Sequence, residues 1–199
     1  MDRDIAPAGM IGHSVDEFAA ACIAGVFSLK NALRIVVARG RLMRSLPAGG
    51  MLAVRLSEQD LLPRLGPGLS IAAINGPALC RAAGPETPLA ELAAALTSRG
   101  VGCRALHTSH AFHSAMMDPI LERMAGIVGQ VSLRAPTLPY VSGVTGAWIT
   151  LAQATSAECW ARHCREPVRF ADGLATLMAD SKPALLELGP GQALTAMAR

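Results

Sequence analysis

Apolar positions along the chain come in blocks whose spacing changes, and the changes predict the elements. "AGMI" (8–11) reads as a short strand, "GHS" (12–14) as a turn, and "VDEFAAACIAGVF" (15–27) as a helix whose alanines imply close packing. Ser28 reads as the N-cap of a second helix, "LKNALRIVVARGRLM" (29–43), which stops at the breaker "SLPAGG". This second helix is apolar nearly all round, a pattern that predicts burial on more than one side.

From residue 51 the blocks shorten. "MLAVRL" (51–56) reads as strand, "SEQDLLPRL" (57–65) as helix, "LSIAAI" (69–74) and "ALCRAA" (78–83) as strands, "PLAELAAALTSRG" (88–100) as helix and "VGCRAL" (101–106) as strand. That β-α-β-β-α-β order is the split βαβ of a ferredoxin-like unit. Downstream the pattern predicts helices near Met117–Val128, Ala157–Cys164 and "FADGLATLMA" (170–179), and strands at "LPYVSGV" (138–144) and "ALLELG" (184–189). The expected fold is α/β: a parallel-sheet core of the α/β-hydrolase type from residues 1–49 and 108–199, with a ferredoxin-like small subdomain, 50–107, inserted into it.

Composition narrows the functions. With 199 residues, 51% hydrophobic and only 4% aromatic, the chain has enough Ala, Leu, Val, Ile and Met to bury a real core. The net charge of +3 comes from scattered arginines rather than a basic stripe, so no nucleic-acid partner is expected. The start, Met-Asp-Arg-Asp, lacks a basic then apolar leader, and no apolar run reaches membrane-spanning length. The expected location is the cytoplasm. Five cysteines, at 22, 80, 103, 159 and 164, form no CxxC pair, so neither disulfides nor a structural zinc are expected.

Candidate chemistry begins at "GMIGHSVDEFAAACIAG" (9–25), which approaches a Gly-x-Ser-x-Gly elbow but carries Asp16 in the second glycine position. In an elbow the Ser14 hydroxyl stands exposed at a strand-to-helix turn, and the Val15 N–H is free to face an oxyanion. The alternative is an ordinary serine N-cap. A base could come from "HTSHAFHS" (107–114), where His107, His110 and His113 recur every three residues. No carboxylate or cysteine stands near at ligand spacing, so a metal site is not expected, while histidines without a task remain open. On helical geometry Ala32, Ile35, Arg39 and Leu42 share one stripe, which turns a guanidinium inward. That charge needs an anion, either an internal Asp or Glu or a substrate carboxylate, and on the residues alone the internal salt bridge is the expected partner.

"IGHSVDEFAAACIAGVFSL", "ARGRLM", "AINGPALCRAAGP", "HTSHAFHSAMMDP", "WARHCREPVRF" and "LLELGPGQALT" follow one another as in a known family. Together they resemble the acyltransferase domain of type I modular polyketide synthases, related to malonyl-CoA:acyl-carrier-protein transacylases. The resemblance implies that Ser14 is the acyl-accepting nucleophile, His113 its general base, and the Val15 N–H one oxyanion donor. Arg39 would hold the free carboxylate of malonate, with His163 supporting it. His13, His110 and Phe112 would join them as substrate-binding positions, and "HAFH" (110–113) goes with malonyl rather than methylmalonyl units. No bound cofactor or metal is implied. Malonyl-CoA would be the acyl donor, and an acyl carrier protein and neighbouring synthase domains the partners.

Two departures carry expectations of their own. The family's "GQGxQ" segment, which supplies a second oxyanion donor, has no counterpart before Ile11, so the chain reads as truncated. Asp16 is expected to strain the elbow, and at about 6 Å to repel malonate by roughly 2–3 kcal/mol at an effective dielectric near 20. The helix dipole returns only about 0.3–1 kcal/mol. A non-catalytic remnant that docks onto a synthase and a serine esterase are the alternatives to a malonyltransferase.

Overall fold

Strand β1 (Met10–Ile11) runs through a tight turn into helix α1 (Asp16–Ile23), and helix α2 (Leu29–Arg44) follows. The computed structural model describes residues 6–179 and 183–198, so the N-terminal tetrapeptide read above lies outside the described residues. Ser28 caps α2 as its sequence predicts, its hydroxyl accepting from the Asn31 N–H at 3.3 Å.

One side of α2, with Ala32, Ile35, Arg39, Leu42 and Met43, is buried. The expectation of burial on several sides is not met: Leu29, Leu33 and Val37 are 66%, 57% and 51% exposed. The helix packs against α1 and the segments after residue 115 on a single face. Lys30, Arg34 and Arg41 interleave with the outer apolar positions and keep that face in water.

The shorter blocks build one antiparallel sheet. Strands β2 (Gly50–Val54), β3 (Ser70–Gly76), β4 (Leu79–Gly84) and β5 (Cys103–Leu106) lie in the order β3-β4-β2-β5, with helices α3 (Glu58–Leu61) and α4 (Glu86–Thr97) between them in the chain. Period-two alternation decides the faces, except in β3, where a register shift between Ile71 and Ala73 turns Ile71 and Ile74 to the same side. Leu52, Val54, Ile71, Ile74, Cys80 and Ala82 pack under Leu61, Leu89, Leu92 and Leu96. Each such Leu, Ile or Val contributes about 1.5–3 kcal/mol. The opposite face carries Met51, Ala72 and Ala83 and meets Ala111.

A 3-10 turn (Ala115–Ile120) precedes helix α5 (Leu121–Val128), so the helix expected from Met117 begins four residues later. Pro119 inside that turn offers no N–H to an α-helical ladder. Strand β6 (Tyr140–Val141) pairs in parallel with β1, and these two-residue strands are all the parallel sheet found among the described residues. The strand expected at "ALLELG" does not form. Leu186 and Leu188 are 81% and 80% exposed, and none of the described strands pairs with this segment.

Helices α6 (Leu151–Ala154), α7 (Ala157–Arg162), α8 (Phe170–Met178) and α9 (Ala193–Met197) complete the chain. Val168, between α7 and α8, extends the edge of β3. It donates to the Ala72 carbonyl at 3.0 Å and accepts from the Ile74 N–H at 2.8 Å, which fixes the preceding loop against the sheet. The main core gathers four of the chain's few aromatics, Phe18, Phe27, Tyr140 and Trp160, with Phe18 and Trp160 ring centroids 4.9 Å apart. No helix among the described residues is long and apolar enough to cross a membrane.

Candidate active site

The turn after β1 is tight because Gly12 lets α1 fold back on it. A Cβ on Gly12 would lie 2.3 Å from the Glu17 nitrogen, so only glycine fits. Ser14 is driven into the left-handed region at φ 57°, a conformation a serine holds only when its surroundings impose it. Its hydroxyl does not cap α1: the N-cap is Val15, with no side-chain cap. The cap reading of Ser14 is thereby set aside.

The Ser14 hydroxyl is 2.6 Å from His113 Nε2 and accepts from Arg39 Nη2 at 3.2 Å. His113, also left-handed at φ 58°, donates from Nδ1 to the Glu166 carbonyl at 2.8 Å. A carbonyl can only accept, so Nδ1 carries the proton and Nε2 presents its lone pair to the serine. Burial, with the nearby His163 and the Arg39 charge, pushes the His113 pKa down from 6.5 to about 3. The ring is therefore a neutral, ready acceptor near pH 7.

The three-residue histidine spacing delivers only one member to the serine. His110 is turned away, with Nε2 donating to the Leu46 carbonyl at 3.3 Å and Nδ1 accepting from Ser109 at 2.8 Å. His107 is exposed. Phe112 packs half-buried between the two cores.

Arg39 is 9% exposed and pairs with no carboxylate among the described residues, which removes the internal salt bridge as its partner. Its Nε is buried without any hydrogen-bond partner. Such a cation beside a nucleophile is a site for an anion.

Behind it, His163 donates from Nε2 to Glu17 Oε2 at 3.0 Å, and the same oxygen accepts from the Gly143 N–H at 2.8 Å. The other ring nitrogen, His163 Nδ1, is buried and unpartnered, and the His163 and His113 centroids are 6.2 Å apart. Tyr140 also buries an unpartnered hydroxyl, and burial together with the Glu17 charge raises its pKa.

His13 reaches the other way, its Nε2 hydrogen-bonded to Asn75 Oδ1 on β3 at 2.8 Å, while burial lowers its pKa. The Val15 N–H makes no hydrogen bond among the described residues. Asp16 is exposed on the first turn of α1, and its N–H bonds to the His13 carbonyl at 3.3 Å. Asp16 takes no left-handed backbone angle and its side chain faces solvent, so the strain expected there is not seen.

Glu17, Asn75 and the Glu166 carbonyl belong to the site without having been singled out in the sequence. Asn75 leaves a trace as a polar residue after the apolar run Ile71–Ile74, and Glu17 as an acid one turn after the serine. The Glu166 carbonyl leaves none, since any residue has one. Among the described residues no cluster of three or more His, Cys, Asp or Glu could hold a metal.

A serine on a forced turn, a buried neutral imidazole and an unpaired guanidinium suit acyl transfer of an anionic acyl group. The sequence profile described as "Acyl transferase domain" matches residues 4–199. The chain belongs to the acyl transferase domain family. The domain is 42% identical over 200 residues to the spectinabilin polyketide synthase system protein NorB of Streptomyces orinoci, covering 98% of this chain and 9% of that protein. It is 41% identical over 193 residues to the mycoketide-CoA synthase of Mycobacterium tuberculosis, covering 96% and 5% respectively.

Among solved structures, the acyl transferase domain of SpnD, in complex with 2-(pent-4-yn-1-yl)malonyl, superposes with a TM-score of 0.94 at 46% identity, over 98% of this chain and 48% of that one. FabD from Acinetobacter baumannii gives 0.91 at 25% identity, over 98% and 65%. This acyl transferase domain thus spans about half of the SpnD chain and about a tenth or less of the curated synthases.

Proposed function

We propose that this acyl transferase domain moves a malonyl unit from malonyl-CoA, through an ester on Ser14, to the phosphopantetheine thiol of an acyl carrier protein within a polyketide synthase. One observation carries the reading: the buried Arg39 guanidinium, free of any carboxylate among the described residues, stands 3.2 Å from the nucleophilic oxygen. A malonyl thioester brings the missing anion to that point. An acetyl thioester leaves the cation unpaired, which is the costly case.

In the first half-reaction His113 Nε2 takes the Ser14 proton as the oxygen attacks the thioester carbonyl, and the unpaired Val15 N–H is the donor to the developing oxyanion. The C–S bond breaks, the coenzyme A thiolate leaves with the proton from His113, and a malonyl ester remains on Ser14. In the second half the carrier thiol gives its proton to His113 and attacks the ester, returning the serine hydroxyl. Protein groups suffice for both halves, so the reaction calls for no bound cofactor.

His163, oriented by Glu17, keeps an unpartnered nitrogen in the same pocket and supports the Arg39 contact. His13 and Phe112 line the approach, and "HAFH" supports malonyl as the acyl group; His110 acts at a distance through the loop it ties to Leu46. The malonyl-type ligand of the SpnD domain fits the same chemistry. We read residues 50–107 as a ferredoxin-like small subdomain set into a core of 1–49 and 108–199, and the cytoplasm as the place of action.

The test presents malonyl-CoA, methylmalonyl-CoA and acetyl-CoA in turn, with a carrier protein bearing its phosphopantetheine arm as acceptor. The reading requires malonyl to dominate. Equal use of acetyl would overturn it, as would turnover of neutral esters undiminished in Arg39→Ala, the behaviour of an esterase.

A further inference from the structure

Arg81 lies inside β4, among Cys80, Ala82 and Ala83, where an apolar residue would be ordinary. The register explains which way it faces. Ala53 on β2 is directly paired with Arg81 on one side and with Arg104 on the other, so all three side chains project from the same face. The arginines are two strand spacings apart, about 10 Å between Cα atoms, with only the methyl of Ala53 between them.

This is the face that carries Met51 and Ala83, opposite the side covered by α3 and α4. It is also the side of the nucleophile. The Arg81 charge helps to lower the pKa of His13, the residue before Ser14, so the guanidinium lies within electrostatic reach of the turn. Arg104 in turn lowers the pKa of Arg81, second to burial, and no carboxylate opposes it. Neither arginine enters an ion pair or a side-chain hydrogen bond among the described residues, whereas Arg162, Arg165 and Arg169 all do.

Two unpaired guanidiniums on either side of a small residue suit a compact anion with several oxygens. Phosphate suits two planar forks better than a carboxylate does, because it offers acceptors to both at once. We infer that Arg81 and Arg104 bind the phosphate of a 4′-phosphopantetheine arm whose sulfur end lies at Ser14. The inference rests on the proposed pantetheine-thioester chemistry of Ser14. That phosphate is shared by coenzyme A, as a diphosphate, and by a charged carrier protein, as a phosphodiester.

Equilibrium binding of 4′-phosphopantetheine and of pantetheine, with inorganic phosphate as competitor, tests the site without any acyl transfer. Wild type should prefer the phosphorylated arm by about 100-fold, two charge-assisted contacts at about tenfold each. Arg81→Val and Arg104→Ala should each cut that preference about tenfold. Equal binding of the two arms by wild type, or a preference untouched in both variants, overturns the inference. If Arg81→Val does not fold, the exposed Arg104→Ala decides alone.

Rate ratios then separate the sources: malonyl-CoA over malonyl-pantetheine as donor reports coenzyme A, and phosphopantetheine over pantetheine as acceptor reports the carrier's arm. A fall in either ratio supports the site, and a fall in neither contradicts it. Phosphate preference without acylation of Ser14 would instead overturn the proposed function and leave the anion site standing.

Discussion

Ser14 and His113 both hold left-handed backbone angles, φ 57° and 58°, and their Oγ and Nε2 meet at 2.6 Å. Each conformation costs free energy that the surrounding fold must supply. Ser14→Gly, which takes that angle freely, should be more stable than Ser14→Ala, which loses the same two hydroxyl bonds, by about 1 kcal/mol. Its thermal unfolding should then lie about 2–4 °C above that of Ser14→Ala, while acyl-ester formation disappears in both. A melting temperature no higher than that of Ser14→Ala would show that the turn is not strained.

The low pKa of His113 has two consequences of definite sign. Because the ring is neutral well below its ordinary value of 6.5, acylation should show no loss of kcat/KM through pH 6.5 and should fall only on approach to about 3. Between those values the unfolded chain binds a proton that the folded one refuses. The stability is therefore complete above 6.5 and is lost as pH falls toward 3. Rate and melting profiles taken from pH 8 to 4 check both, and an inflection in kcat/KM near 6.5 would contradict the buried neutral base.

Arg39 sets the preference for an acidic acyl group. Arg39→Ala should lower kcat/KM for malonyl-CoA by about 100-fold or more and change acetyl-CoA far less. Steady-state rates with both donors read the ratio directly.

Glu17 supports the site through His163 and the Gly143 N–H. Glu17→Ala strips a buried partner from both and should destabilise the domain by about 3–5 kcal/mol. Glu17→Gln keeps an acceptor and should cost clearly less. Denaturant unfolding of the two variants side by side distinguishes this role from simple packing, which would penalise both alike.

Much of this site could be read from the chain because it depends on local rules. The Gly12–Ser14 turn follows from a strand–turn–helix pattern, and the buried Arg39 from a 3.6-residue stripe through Ala32, Ile35 and Leu42. The β-α-β-β-α-β order was equally plain, since period-two blocks and helical blocks alternate without ambiguity. What escaped depends on partners distant in sequence. Glu17 and His163 are 146 positions apart, and no pattern announces their bond.

"ALLELG" has every local mark of a strand, but a strand also needs a partner, and apolar composition cannot say whether the segment meets one. The outer leucines of α2 misled in the same way: periodicity counts apolar positions, not the neighbours that would cover them. Motif spacing makes Asp16 crowd the elbow, but it cannot say that the side chain faces solvent.

Intact-protein mass spectrometry after incubation with malonyl-CoA, followed by peptide mapping, tests the central claim most directly. The account predicts a single malonyl ester on Ser14, absent in Ser14→Ala and discharged by a carrier thiol. No adduct on the folded domain, or an adduct that persists in Ser14→Ala, would contradict it.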